Sequence, residues 1–345
     1  MRKIVFTGGG SAGHVVPNIA LIEELKERYD LYYIGTDGIE KRLIAPLSIP
    51  FGQIECPRFV RGFAAENFLI PFRLRQAVKA AETLLKKIRP DVVFSKGGYV
   101  ALPVVTAAKK LSIPALTHES DLSMGLANRL MAGMCRYVLT SFERTAEEAA
   151  KGKYVGPPLR KELFSVSNAA ARAKYGFSSY KKVLLLLGGG SGSRELNELL
   201  RENLFSLCKK YYVLHLCGRG NRVESNVAGY IQKEFESDMG AAYAAADGVV
   251  ARAGSNTLFE TLALKKPALF VPLQNRRSRG DQVKNAEYFE KRGLCRVWTK
   301  KSGTDFLFAV EEMMEDRELK KNIAACDVAS GNEKIVECIE ECMEK

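Results

Sequence analysis

The sequence predicts an α/β protein with two domains, each built on a parallel sheet. Three observations carry this. An apolar strand pattern running into a glycine-rich turn occurs twice: Lys3-Ile4-Val5-Phe6-Thr7 before GGGSAG at 8–13, and Lys182–Leu187 before GGGSGS at 188–193. Each turn feeds a helical pattern, which is how a Rossmann-like βαβ unit opens. Strand-like and helix-like stretches then alternate along the whole chain. Finally, 345 residues with 46% hydrophobic content suit two cores better than one.

The elements follow in order. In the first half strands are expected at Leu31–Ile34, Asp91–Ser95 and Ala115–His118, with helices at Ile19–Arg28 and Phe72–Ile88. In the second half strands are expected at Tyr211–Cys217, Gly248–Ala251 and Ala268–Leu273, with a helix at Glu195–Leu207. Val155-Gly156-Pro157-Pro158 reads as the linker, because its prolines bar a helix. This divides the chain into domains at 1–158 and 159–329, and a terminal helix within 330–345, near Asn332–Glu344, is expected to return to the first domain. Ligands of such sheets bind at the carboxyl ends of the strands, so the site is expected where those ends of the two domains face a common cleft.

A net charge of +12 and a pI near 9.2 favour anionic partners: phosphorylated substrates, nucleic acid or an acidic membrane face. Met1-Arg2-Lys3 runs straight into the first strand, so no signal peptide is expected. The longest uncharged apolar stretch, Gly97–Ala108, is too short to span a bilayer. The eight cysteines are scattered without CxxC or zinc spacing and read as reduced thiols, with Cys338 and Cys342 packing along the terminal helix.

Five stretches carry candidate chemistry. In GGGSAGH at 8–14 the glycines allow close backbone approach to a phosphate, and Ser11, Ala12 and Gly13 line the turn. Gly8, Gly10 and Gly13 also fit GxGxxG, but the second strand ends Ile34-Gly35-Thr36 rather than on the acid a dinucleotide ribose needs. His14, placed at a helix start, is either a general base or a group ordering the loop. His118 and His215 read as structural.

HESD at 118–121 puts Glu119 and Asp121 just after a strand, as general-base candidates or helix caps, with Gly125 and Asn128 following. ARAGSNTLFE at 251–260 ends a strand and starts a helix. Ser255, Asn256 and Thr257 offer first-turn amides to a diphosphate, and Glu260 is a carboxylate for a ribose diol. In SRGDQVKNA at 278–286, Gln282 and Asn285 share a helix face and suit sugar hydroxyls, behind Arg276, Arg277 and Arg279. Between 59 and 87, Phe59, Val60, Phe63, Phe68, Leu69, Ile70 and Phe72 alternate with Arg58, Arg61, Arg73, Arg75 and Lys79, which reads as a membrane-surface segment or an ordinary sheet-packing helix. No DxD sequence occurs, so no bound metal is expected, and Arg160 at the linker could meet a leaving diphosphate.

Taken together these motifs resemble the MurG family. The likeness runs through GGGSAGHVVPN at 8–18, SKGGYVALP at 95–103, HESD with GLANR at 118–129, GGGSGSRELN at 188–197, SDMGAAYAAAD at 237–247, RAGSNTLFE at 252–260 and DQVKNA at 281–286. The resemblance implies the GT-B fold and an inverting transfer of N-acetylglucosamine from UDP-GlcNAc to undecaprenyl-diphosphate-N-acetylmuramoyl-pentapeptide (lipid I), giving lipid II without metal or cofactor. The first domain would face the acceptor and membrane, and the second would hold UDP-GlcNAc. The protein would lie in the cytoplasm, peripheral on the inner, anionic face of the cell membrane, and would bind no nucleic acid.

Residue by residue, the resemblance makes His14 the family's histidine of the first glycine loop, with Glu119 a second candidate base. It places Ser11, Ala12 and Gly13 near the donor and acceptor as UDP-GlcNAc-binding residues, Arg160 near the donor diphosphate, Ser255 to Glu260 on the diphosphate and ribose, Gln282 and Asn285 on GlcNAc, and the backbone near Glu236 on uracil. Gly97, Gly98, Tyr99, Asp121 and Asn128 would contact donor or acceptor. Asp121 and Pro157 stand where the family usually has Asn, Gly190 where it has Ser, and Asp281 where Gln is common; Ser191 could serve in place of Gly190. Two further readings remain open from the sequence: a UDP-GlcNAc 2-epimerase and a dinucleotide-dependent dehydrogenase.

Overall fold

The computed structural model describes residues 1–57, 69–274 and 280–344. The chain divides into two compact units, Met1–Arg160 with Ser330–Lys345, and Lys161–Ala329.

Among the described residues of the first unit, seven strands form one parallel sheet: β1 (Lys3–Thr7), β2 (Asp30–Gly35), β3 (Phe51–Gln53), β4 (Val92–Ser95), β5 (Ala115–Glu119), β6 (Tyr137–Thr140) and β7 (Gly152–Tyr154). Their spatial order is β3-β2-β1-β4-β5-β6-β7. The helices are α1 (Val16–Leu25), α2 (Ile39–Ile44), α3 (Ile70–Ile88), α4 (Ala101–Lys110), α5 (Leu126–Ala132) and α6 (Glu143–Glu148).

Continuous apolar runs such as Val92–Phe94 are buried on both faces, as a parallel sheet covered by helices requires. One face packs α1 and the terminal helix, through Leu21, Ile22, Ile335 and Ile339. The other packs α3 and α4, through Val78, Leu85, Val104 and Val105. Arg28 and Tyr29 bond to Glu340, and Tyr137 and Lys153 to Glu341, holding the terminal helix at its polar edge. Cys338 and Cys342 are buried in this packing, and none of the eight cysteines is disulfide-bonded.

The second unit repeats the plan with α7 (Asn168–Lys174), β8 (Val183–Leu187), α8 (Arg194–Lys210), β9 (Tyr212–Leu216), β10 (Tyr230–Lys233), α9 (Met239–Ala245), β11 (Gly248–Ala251), α10 (Ser255–Ala263), β12 (Ala268–Phe270), α11 (Asp281–Glu290), β13 (Arg296–Val297), α12 (Phe306–Glu315) and α13 (Arg317–Ala325). α14 (Asn332–Met343) is the terminal helix of the first unit. The second sheet is parallel, in the order β10-β9-β8-β11-β12-β13.

In both sheets the strand order reverses beside the first strand, between β1 and β4 and between β8 and β11. That switch point opens a crevice at the carboxyl ends, and both glycine loops lie there. The strand expected over 268–273 stops at Phe270. Val271 N still donates to Ala251 O (2.8 Å), but Pro272 has no N–H to continue the ladder.

Candidate active site

The first loop leaves β1 at Gly8, whose φ of +152° is a glycine conformation, and ends in a 3₁₀ turn, Ala12–His14, before α1. His14 is therefore the last residue of a 3₁₀ turn rather than the start of the α-helix. Its Nδ1 lies 3.0 Å from the Lys96 carbonyl oxygen. A carbonyl only accepts, so in the neutral ring Nδ1 carries the proton and Nε2 keeps the lone pair, the tautomer a base needs. Gly98 must be glycine here: its φ is +80°, and a Cβ would lie 2.4 Å from Gly9 O and 3.1 Å from the His14 ring. Ser11 and Gly13 are exposed, Ala12 is half-buried, and Tyr99 lies against Gly10.

The loop after β5 is organised by Glu119, which is 5% exposed. Its carboxylate accepts from Asp121 N (3.0 Å), Gly125 N (2.8 Å) and Asn128 Nδ2 (2.9 Å). Asn128 Oδ1 accepts in turn from Thr117 Oγ1 at 2.8 Å and would meet any Cβ placed on Gly97. No helix starts at Ser120 or Asp121. The next one begins at Leu126 after Gly125, so the capping reading of these residues gives way to a loop folded around Glu119. His118 is fully buried with Nε2 on Gly156 O, and burial holds it neutral well below the usual histidine range.

Two residues of this cluster escaped the sequence analysis. Glu40, from α2, is completely buried and accepts from Gly10 N (3.3 Å), Thr36 N (2.9 Å) and Thr36 Oγ1. The carboxylate beneath the first glycine loop is thus supplied five residues beyond the end of β2, past the position where the GxGxxG pattern directs attention. Lys96, at the end of β4, is 2% exposed and donates to Ser120 Oγ at 2.6 Å. Burial pulls its pKa down to about 8 against the opposing pull of Glu119 and Asp121.

In the second unit the turn Gly189–Gly192 closes with Gly192 N on Gly189 O at 2.9 Å. Gly190 and Ser191 are exposed on it. Ser193 caps α8, its Oγ accepting from Leu196 N. The hub is Arg252, 7% exposed at the end of β11. Its guanidinium reaches Ser193 Oγ (2.8 Å), Val271 O (2.9 Å) and Glu195 Oε2 (2.7 Å), tying the ends of β8, β11 and β12 together. This fork geometry is specific to arginine. No spacing rule singles Arg252 out, because its partners are distant in sequence.

A cavity of about 530 Å³ opens beside this hub, lined by Gly188, Gly192, Ser193, Arg252, Leu273 and Gln282 among others. Gln282 Oε1 accepts from Leu273 N at 2.9 Å, which fixes the side chain at the rim. Asn285, one turn along, is fully buried. Ser255, Asn256 and Thr257 form the half-buried first turn of α10, capped by Gly254 rather than by Ser255. The first-turn amides of a helix point out of its N-terminus, a geometry that suits an anion. Glu260 is 9% exposed, and its Oε2 accepts from Tyr243 OH at 2.9 Å. Glu236 accepts from Tyr175 OH, Lys233 Nζ and Asp238 N, which stiffens the backbone there. Arg160 is half-buried at the end of the first unit's main segment. Arg276, Arg277 and Arg279 lie outside the described residues, as do Arg58, Phe59, Val60, Arg61, Phe63 and Phe68. Among the described residues no helix is long and apolar enough to cross a membrane.

Known proteins resemble this chain over its full length. Residues 4–140 match the glycosyltransferase family 28 N-terminal domain, and residues 183–339 match the family's C-terminal domain. A UDP-N-acetylglucosamine–N-acetylmuramyl-(pentapeptide) pyrophosphoryl-undecaprenol N-acetylglucosamine transferase of Clostridium tetani is 42% identical, across 98% of both chains. A protein of the same name from Lachnoclostridium phytofermentans is 43% identical across 99% of both. The crystal structure of Acinetobacter baumannii MurG superposes with a TM-score of 0.75 at 25% identity, covering 99% of this chain and 100% of that one. The calicheamicin glycosyltransferase CalG4, at 15% identity and a TM-score of 0.73, shares the fold. With two parallel-sheet Rossmann-like units, both halves matched and this identity end to end, the chain belongs to glycosyltransferase family 28 and, within it, to the MurG family.

Proposed function

We propose that the chain transfers N-acetylglucosamine from UDP-GlcNAc to undecaprenyl-diphosphate-N-acetylmuramoyl-pentapeptide, forming lipid II. The observation that carries this is the 42–43% identity, over 98–99% of each chain, to transferases named for that reaction. The first unit serves the acceptor and the second holds the donor. His14 takes the proton of the attacking sugar hydroxyl on Nε2, while its Nδ1–H stays on the Lys96 carbonyl. Glu119 is a poorer base, since both its oxygens already accept from the loop it folds.

In the second unit, the first turn of α10 receives the leaving diphosphate, Glu260 holds the ribose, and Gln282 at the cavity rim binds the sugar. Arg160, the last residue of the first unit's main segment, is the arginine that the family resemblance assigns to that diphosphate. The acceptor oxygen bonds the anomeric carbon on the face opposite the diphosphate as the bond to UDP breaks, so the centre inverts, and the scheme needs no metal. Contact with the anionic membrane face is supported by Leu69 and Phe72, 51% and 62% exposed, beside the exposed Arg73, Arg75 and Lys79 on α3.

The test is GlcNAc transfer from labelled UDP-GlcNAc to a short-chain lipid I analogue in EDTA, with wild type beside Glu260→Ala. Product from wild type, with far more donor required by the variant, is expected. Release of UDP or epimerised sugar without any acceptor would point to the 2-epimerase reading instead.

A further inference from the structure

A lysine is rarely buried, because its ammonium loses hydration. Lys96 is buried at the switch point of the first sheet, and its three polar groups go to three places. Its N–H donates to Thr7 O at 2.9 Å, which fixes its backbone to β1. Its carbonyl accepts from the His14 ring at 3.0 Å. Its ammonium donates to Ser120 Oγ at 2.6 Å, in the loop that Glu119 folds. Ser120 is neutral and offsets none of the charge; the opposing charges are Glu119 and Asp121 on either side of it. The groups that face Lys96 are thus His14 from the loop after β1, and His118, Glu119 and Asp121 from β5 and its loop.

Both loops are largely irregular, and each is tied to a neighbouring helix of its own: Glu40 of α2 accepts from Gly10 N in the first, and Thr145 of α6 donates to Leu122 O (2.8 Å) in the second. The first is a 3₁₀ turn, and the second has neither helix nor strand from Ser120 to Gly125. Between the two loops, Lys96 forms a bridge through its side chain and its own carbonyl. We propose that Lys96 is a positioning residue of the transfer reaction, strapping the loop that carries His14 to the loop that carries Asp121. The inference rests on the reading of His14 as the base. The strap is strongest while the ammonium is charged, since a neutral amine keeps the bond to Ser120 but loses the attraction of Glu119 and Asp121. With its pKa drawn down to about 8 by burial, Lys96 is charged at neutral pH and discharges on the alkaline side of it.

The experiment measures kcat and donor KM from neutral to alkaline pH with the full-length protein, UDP-GlcNAc and a lipid I analogue. It compares wild type, Lys96→Met, Ser120→Ala and the double variant. Wild-type kcat is expected to fall above a pH of about 8. Lys96→Met should lower kcat at neutral pH about ten-fold by loosening the base, leave donor KM unchanged and abolish the alkaline fall. The double variant should be no slower than Lys96→Met, because Ser120 acts through Lys96. A Lys96→Met enzyme with wild-type kcat and the wild-type pH profile would overturn the proposal, as would losses that multiply in the double variant. If Lys96→Met does not fold, Ser120→Ala decides, and wild-type kcat in that variant rejects the strap. A wild type that binds UDP-GlcNAc but transfers nothing to the acceptor refutes the functional reading instead, and is recognised before any variant is compared.

Discussion

Lowering the pH from about 7 to about 5 should destabilise each unit through one buried histidine. His118 in the first unit and His215 in the second are both fully buried. Both are held neutral, His118 well below the ordinary 6.5 and His215 at about 3, with burial as the first cause. His215 is further committed by Tyr230 OH on Nδ1 (2.8 Å) and Asn197 Oδ1 on Nε2 (2.9 Å).

The folded pKa is depressed, so below 6.5 the unfolded chain binds the proton that the folded chain refuses. Stability is therefore complete above that value and falls with pH by about 1.4 kcal/mol per unit for each histidine. By pH 5 the loss is about 2 kcal/mol per unit, or roughly 4–8 °C in melting temperature for a domain of this size. In the second unit Glu290 works the other way. Burial raises its carboxyl pKa, so its protonation as the pH falls favours the folded form and offsets part of the loss.

Scanning calorimetry of wild type, His118→Asn and His215→Gln at the two pH values isolates each term. Each variant should start less stable but lose its own unit's pH slope while leaving the other's. Melting that is equally pH-sensitive in wild type and variants would refute the assignment, because the acid sensitivity would then come from carboxylates.

Three further outcomes are expected. His14→Ala should lower kcat by about 10²–10⁴-fold while UDP affinity, read by calorimetric titration, stays at wild type, since the base and the donor pocket belong to different units. Gly192→Ala should weaken UDP binding and lower the second unit's melting temperature. A Cβ there falls 2.2 Å from Cys217 O at a φ of +74°, a strain of at least about 1–3 kcal/mol before any clash is counted. Lys96→Met should leave the first unit at least as stable as wild type at neutral pH. The lysine's folded pKa of about 8 lies below its ordinary 10.5, so below 8 it is charged in both states and carries a constant penalty. That penalty is about 3 kcal/mol, and the bond to Ser120 is worth less. A large drop in melting temperature would show that the ammonium stabilises the fold.

The sheet cores were legible because a parallel strand buried on both faces is a continuous apolar run, as at Val183–Leu187. The edge strands were not. β3, β7 and β13 span two or three residues with partly exposed side chains, too short for any period to register. Within the site, motif residues in the loops that follow strands can be nominated from position alone, as His14, Asp121 and Ser255 are. Lys96, Glu40 and Arg252 cannot. Each earns its role by burial against partners far off in sequence, such as Glu40 under Gly10 or Arg252 on Val271 O. A charged residue in a polar stretch looks solvated until the fold closes over it. For the same reason Ser120, Asp121 and Ser255 seemed eligible as caps. Only the backbone path shows that Gly125 and Gly254 hold those places, the first because Glu119 already draws the Asp121 and Gly125 amides inward.

The two glycine loops share GGGS, yet the fold uses them differently. In the first, Gly8 and Gly9 are buried, and a Cβ on Gly9 would strike the Glu40 carboxylate at 2.6 Å. The loop's anion is built into the protein, and a second one placed against it would meet like charge. That disfavours a dinucleotide pyrophosphate on this loop and frees it to present His14. In the second, Gly190 and Ser191 are exposed, and the charge behind the loop is the cationic Arg252, already braced by Glu195 and Ser193. The cavity lining pairs Arg194 and Arg252 with Glu198 and Glu195, so an anionic ligand entering it competes with Glu195 for a guanidinium fork that is already held in place. Reversing the charge under each loop separates base from donor site. Glu40→Gln should therefore disturb His14 chemistry without touching UDP affinity, whereas Arg252→Lys, which keeps the charge but loses the fork, should weaken UDP binding and spare the first unit. Equal effects of both variants on UDP affinity would mean that the loops do not divide the work in this way.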